Sequence, residues 1–269
     1  MPQRFTLDLS QGRRASARQV ICHAAWLAEV RAQPIVNRQE HVVGFENLAR
    51  IESDVFGGRM EHLIARLPGD ELQRLTGEVL LSLRIRCMLD KNYSSQMKGE
   101  RAGPGAFRHF VNVEKRSLAE PSVIDDLVES AADLRSSGAQ LVVEVTERPV
   151  ASGEQFRAYV SGLMRLKQEG VQVALDNYDI DAPVHWELDL GLCDFVKLEL
   201  SELGIPLRGD EDVLAARYIG LAEKLYQFIH RYLVEVIADK VETHWQYEIA
   251  KGLPFKLFQG YRLGYSERV

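Results

Sequence analysis

Short apolar runs and longer amphipathic stretches alternate along the chain. Eight runs are short and rich in β-branched or aromatic residues: Val30–Val36, Val42–Ile51, Phe107–Val113, Gln140–Val145, Val171–Leu175, Phe195–Leu200, Leu233–Ala238 and Phe255–Phe258. This pattern predicts strands. Helical periodicity predicts helices over Arg59–Arg66, Glu71–Asp90, Ser122–Ser136, Glu154–Glu169, Asp210–Tyr232 and Glu242–Lys251. In Glu71–Asp90, Leu72, Leu75, Val79, Leu83 and Cys87 recur every three or four residues, one apolar stripe. Asp70 is the expected N-cap of that helix, after Pro68 and Gly69. Pro121 and Ser122 open the next one, with Asp125 and Asp126 expected in its first turn. The apolar Ile21 to Leu27 stretch, after Arg13, Arg14 and Arg18, is expected to form an N-terminal helix or contact surface. The densest loop signal runs from Lys91 to Pro104.

Strands separated by helices imply parallel pairing and a closed barrel. The first two strands break that rule. Only Asn37, Arg38, Gln39, Glu40 and His41 separate Val36 from Val42, too few for a parallel crossover. These strands should form an antiparallel hairpin. The fold class is α/β: a modified (β/α)8 barrel with its first strand reversed.

The 269 residues suit one barrel domain, expected over 21–269 behind an extension of residues 1–20. No further sensory domain is expected beside the barrel within these residues. The net charge of −6 argues against direct nucleic-acid binding and a basic membrane-surface role. No apolar run reaches the roughly 20 residues of a membrane span. The first residues lack the apolar core of a signal peptide, and the three cysteines are dispersed, so a cytoplasmic location is expected. Seven histidines show no zinc-binding spacing. Trp186 is expected to pack on the barrel, the other reading being a partner-binding patch formed with His185.

Polar residues recur at or near the ends of the apolar strands: Glu46, Asn112, Glu144, Asp176, Lys197, Asp239 and Gln259. The carboxyl ends of barrel strands carry the active site. Charged groups inside apolar strands need partners or metal. Four carboxylates among oxygen-bearing amides suit Mg²⁺ or Mn²⁺, one ion or two, and such ions can bind a phosphodiester and activate water. The other reading is a barrel rim held by ordinary hydrogen bonds and ion pairs.

These residues sit in recognisable strings. Gln33-Pro34-Ile35-Val36 and Gly44-Phe45-Glu46-Asn47-Leu48-Ala49-Arg50 resemble the opening of EAL domains, bacterial phosphodiesterases that linearise cyclic di-GMP. Val111-Asn112-Val113, Glu144-Val145-Thr146-Glu147, Ala174-Leu175-Asp176, Val196-Lys197-Leu198, Val241-Glu242-Thr243 and Gln259-Gly260-Tyr261 follow in family order. The resemblance implies metal ligands at Glu46, Asn112, Glu144, Asp176 and Asp239, with Mg²⁺ or Mn²⁺ as the ion. It implies catalytic roles for Glu46, Lys197 and Gln259, Lys197 beside the attacking water. It implies ligand contacts at Gln33, Leu48, Arg50, Asn177, Glu242 and Tyr261, and a loop brace at Glu147. Family members commonly pair, so the resemblance also implies a homodimer.

The chain departs from the family pattern on one rim. The family's Asp-Asp-Phe-Gly-Thr-Gly loop reads Asp176-Asn177-Tyr178-Asp179-Ile180-Asp181. A neutral amide replaces the second aspartate, and both glycines are lost, so Asp181 is expected to carry a backbone cost. The family's Glu-Gly-Val-Glu reads Asp239-Lys240-Val241-Glu242. The acid is one methylene shorter and a cation replaces glycine. These departures imply a degenerate, stand-alone EAL-like protein with weak or no hydrolysis, acting by binding cyclic di-GMP or a regulatory protein partner. The alternative is an active phosphodiesterase that opens cyclic di-GMP to linear pGpG. An unrelated metal-dependent barrel enzyme is the third reading.

Overall fold

A computed structural model describes residues 20–23, 26–52, 69–89, 107–146, 153–184, 186–209, 218–265 and 267–268. Its strands are β1 (Val20–His23), β2 (Trp26–Asn37), β3 (Val42–Glu52), β4 (Phe107–Val113), β5 (Ala139–Val145), β6 (Gln172–Leu175), β7 (Phe195–Glu199), β8 (Glu235–Asp239), β9 (Leu257–Phe258) and β10 (Glu267–Arg268). Its α-helices are α1 (Gly69–Leu89), α2 (Pro121–Ser136), α3 (Gly153–Gln168), α4 (Trp186–Asp189), α5 (Ile219–Tyr232) and α6 (His244–Gly252).

The reversed opening follows from the short connection. Asn37 turns the chain, its Oδ1 accepting from the backbone N–H groups of Gln39 and His41, each at 3.0 Å. Glu40 takes a left-handed φ of 61° in that turn. β2 then pairs antiparallel with β3, Gln33 opposite Glu46. From β3 to β9 every neighbouring pair is parallel. β2 closes the ring by pairing antiparallel with β9 at Val36 and Asn37. The eight strands β2 to β9 form the barrel, as the alternation of strands and helices requires.

Two apolar layers hold it. Outward-facing residues such as Val111, Val143, Val173, Val196 and Val236 join the helices in one large core. A smaller core fills the barrel: Ile35, Phe110, Val142, Ala174, Phe195, Ile237 and Leu257. Burial on both faces explains why these strands read as nearly unbroken apolar runs. At Gly44 a side chain cannot fit, because a Cβ would meet the Arg108 carbonyl at 2.6 Å.

Several local expectations are corrected. In the Ile21 to Leu27 stretch the described residues, 21–23 and 26–27, are extended, not helical. β1 pairs antiparallel with the first half of β2, Val20 opposite Glu29 and His23 opposite Trp26. This satisfies backbone groups on the β2 edge that would otherwise lack partners. Asp70 lies inside α1, which begins at Gly69, so it is not the cap. Asp125 and Asp126 lie beyond the first turn of α2, which begins at Pro121. The predicted strand from Leu233 begins only at Glu235, because Leu233 is the left-handed cap of α5 (φ 55°). The helix expected over Arg59–Arg66, the Lys91 to Pro104 loop, residues 210–217 and the first nineteen residues lie outside the described residues. Trp186 packs edge-on against Phe156 and Tyr159, ring centroids 4.6 and 5.5 Å away. Among the described residues, no helix is long and apolar enough to cross a membrane.

Candidate functional site

The inner core and the polar cup above it come from the same strands, two residues apart. On the parallel strands the steps are Phe110 to Asn112, Val142 to Glu144, Ala174 to Asp176, Phe195 to Lys197, Ile237 to Asp239 and Leu257 to Gln259. Side chains alternate faces along a strand, so a two-residue step keeps the inward face and rises towards the carboxyl end. On β3 the step is Gly44 to Glu46. On reversed β2 it runs backwards, Ile35 to Gln33.

Lys197 is the hub. Its Nζ donates to Glu144 Oε1 at 2.6 Å and to Glu46 Oε2 at 3.1 Å. Asn112 Nδ2 donates to Glu46 Oε1 at 2.7 Å, and Gln259 Nε2 to Glu46 Oε2 at 2.5 Å. Glu144, Lys197, Gln259 and Glu46 are all buried. Burial opposes ionisation of Glu46, but Lys197 and the two amides outweigh it and hold its pKa below the ordinary value. Burial raises Glu144 well above the ordinary value, and the charges of Glu46 and Asp176 add to this. Burial likewise raises Asp176, and it lifts Asp239 to about 6. Lys197 remains firmly charged, because Glu144, Glu46, Asp176 and Asp239 outweigh the effect of burial.

Four carboxylates therefore share one buried ammonium, and positive charge is in deficit. No donor reaches Glu144 Oε2, and Gln259 Oε1 also lacks a partner. Among the described residues, no three acidic, histidine or cysteine side chains stand in metal-holding geometry. The ammonium occupies the centre instead. The donor set is nonetheless all oxygen, with one buried carboxylate oxygen unsatisfied, and that chemistry fits a hard divalent cation.

The remaining expected residues sit around this centre. Gln33 is half-buried and Leu48 partly buried. Arg50 lies on β3 opposite Glu29, its side chain outside the described residues. Glu147 is also outside them. Glu242 and Tyr261 stay exposed on the rim, and Tyr261 stacks on Tyr265 with ring centroids 5.4 Å apart. After β6, the Asp176 N–H donates to the Val145 carbonyl and the Tyr178 N–H to the Lys197 carbonyl, both at 3.0 Å. The left-handed residue of this loop is Asn177 (φ 45°), not Asp181. Asparagine adopts that conformation more readily than most residues. Asp181 instead makes an Asx turn with Asp179, whose Oδ1 accepts its N–H at 2.8 Å, and pairs with Lys224.

Two features escaped the sequence pattern. Lys240, at φ 53°, makes an ion pair with Glu199, which also accepts from the Ser201 hydroxyl. Glu199 stands two residues beyond Lys197 on β7, so the same alternation could have placed it at the mouth of the cup. Lys115 pairs with buried Glu187 at 2.8 Å across a distance of 72 residues. These two residues, with Asp176, Asn177, Tyr178 and Trp186, help line a cavity of about 230 Å³ beside the cup.

The EAL domain family model matches residues 15–265. The Exotoxin A regulatory protein of Pseudomonas aeruginosa is 26% identical over 190 residues, 67% of this chain and 65% of the relative. The Cyclic di-GMP phosphodiesterase CdgJ of Vibrio cholerae serotype O1 is 25% identical over 238 residues, 86% of this chain and 43% of the relative. The matches thus span less than two thirds of either relative's length. The EAL enzyme Bd1971 in its cAMP-bound form superposes with a TM-score of 0.65 at 18% identity, over 89% of this chain and 62% of the other, a likeness of fold. A family match over nearly the whole chain, joined to a barrel with its first strand reversed, establishes that the chain belongs to the EAL domain family.

Proposed function

We propose that this EAL domain serves cyclic di-GMP signalling by binding rather than by turnover. It engages cyclic di-GMP or a regulatory protein partner and hydrolyses the nucleotide weakly or not at all. One observation carries this reading: on the rim between β6 and β8, neutral Asn177 and cationic Lys240 stand beside the cup's carboxylates. Both changes make the rim less negative than the family pattern.

Glu46, Asn112, Glu144, Asp176 and Asp239 are the residues that would hold Mg²⁺ or Mn²⁺. When bound, such an ion neutralises charge on a phosphodiester and lowers the pKa of water. The chain's own part is positional. Lys197 fixes Glu46 and Glu144, and Gln259 and Asn112 set the orientation of the Glu46 carboxylate. That intact core favours the second reading, an active phosphodiesterase. The altered rim supports binding over turnover, because ligands about 1 Å out of place cost about a hundredfold in rate.

The test combines a cyclic di-GMP binding titration with a hydrolysis assay in Mg²⁺ or Mn²⁺ on one preparation. Binding without product supports a receptor. Neither binding nor product supports the protein-partner form. Steady production of linear dinucleotide that Glu46→Ala abolishes overturns the proposal.

A further inference from the structure

The mouth of the cup carries a second fixed cation besides Lys197. Lys240 follows Asp239 at the end of β8, and its ammonium pairs with Glu199 at the end of neighbouring β7. Glu199 stands opposite Asp239 in the β7–β8 register, one inward-facing step above Lys197. The bridge therefore spans two neighbouring strands directly above the hub. The Leu200 N–H donates to the Asp239 carbonyl at 3.3 Å and ties the same two strands together. Lys240 pays for its place in backbone energy, because a left-handed φ is costly for a residue with a Cβ. Lys240 is half-exposed and Glu199 mostly covered, so the pair sits at the solvent-facing end of these two strands. On the neighbouring strand end, after β6, Asn177 offers an amide and no charge. Below, Glu144 Oε2 is buried without a donor and Gln259 Oε1 without a partner, which leaves coordinating oxygen available at the floor.

We infer that this cup takes a single divalent cation at its floor, and that Lys240 keeps a second ion from the rim. The inference rests on the reading that the cup holds a divalent cation at all. A fixed positive charge a few ångströms from a divalent ion weakens its binding on the order of tenfold. Losing a carboxylate ligand at Asn177 acts in the same direction.

Mn²⁺ titration of the full chain, followed by calorimetry and by the paramagnetic signal of free Mn²⁺, counts the ions without any need for turnover. The wild-type chain should bind one ion. Lys240→Gln removes the charge and keeps the backbone cost, and it should admit a second ion at least about tenfold tighter than any second binding in wild type. Lys240→Gly removes both and should do the same. Glycine suits the left-handed site, so this variant also guards against misfolding of the first. Two ions of similar affinity in wild type would overturn the single-ion inference, and an unchanged count in both variants would overturn the role of Lys240; either result leaves a metal-holding cup intact. No ion in any of the three proteins would bring down the metal reading as well.

Discussion

The plug and the cup are built by the same strands at the same spacing, yet they obey different energetics. In the plug, Phe110, Val142, Phe195 and Ile237 are buried against one another. Each stabilises through apolar area removed from water and close packing, and each is nearly independent of pH and ions. Two residues further on, Asn112, Glu144, Lys197 and Asp239 face the same axis. There the ledger turns on charge: one ammonium among four carboxylates, with protonation as the nearest relief. The barrel therefore places a rigid floor beneath a strained polar site, and the floor can be packed without regard to the chemistry above it.

Breaking the hub should produce the largest effect. Lys197→Met keeps the shape of the side chain but leaves Glu46 and Glu144 buried without their cation. Thermal denaturation should show a loss of about 3–5 kcal/mol. Mn²⁺ should restore more stability to this variant than it adds to wild type, because it supplies the missing charge. Ile237→Ala, in the plug and opposite Lys197 in the β7–β8 register, should cost about 2–5 kcal/mol through a cavity, and Mn²⁺ should not restore it. Equal rescue of both variants would erase the distinction between plug and cup.

A smaller effect should appear with pH. His109 lies fully buried on β4, and burial, with Arg86 nearby, lowers its pKa from 6.5 to about 3. The unfolded chain takes up this proton below pH 6.5 and the folded chain does not, so stability falls as pH drops from about 6.5 towards 3. Between pH 6.5 and 5 this amounts to roughly 2 kcal/mol. His109→Leu should remove that slope. Asp239 acts in the opposite sense, because its folded pKa of about 6 lies above the ordinary 3.8. Its ionisation weakens the fold as pH rises from about 4 to 6. Stability measured from pH 4 to 7 in both His109→Leu and Asp239→Asn separates the two contributions.

Much of the barrel was legible because burial on both faces leaves unbroken apolar runs, and a single polar residue in such a run is conspicuous. Glu144 and Lys197 stood out for that reason, and the five residues from Asn37 to His41 forced the hairpin. β1 and β10 were not legible, since each is a short segment that exists by pairing with the long edge of β2. The Lys240–Glu199 bridge depends on a left-handed backbone that a lysine does not advertise. The strain expected at Asp181 falls on Asn177, because the loop turns immediately after Asp176, where hydrogen bonds to β5 and β7 fix the chain.

The most direct measurement is the rate of linear dinucleotide formation from cyclic di-GMP in saturating Mn²⁺, comparing wild type with a variant carrying Asn177→Asp, Asp239→Glu and Lys240→Gly. The account predicts little or no product from wild type and at least about a hundredfold more from the restored rim. Vigorous turnover by wild type, lost in Glu46→Ala and not increased by restoring the rim, would contradict it.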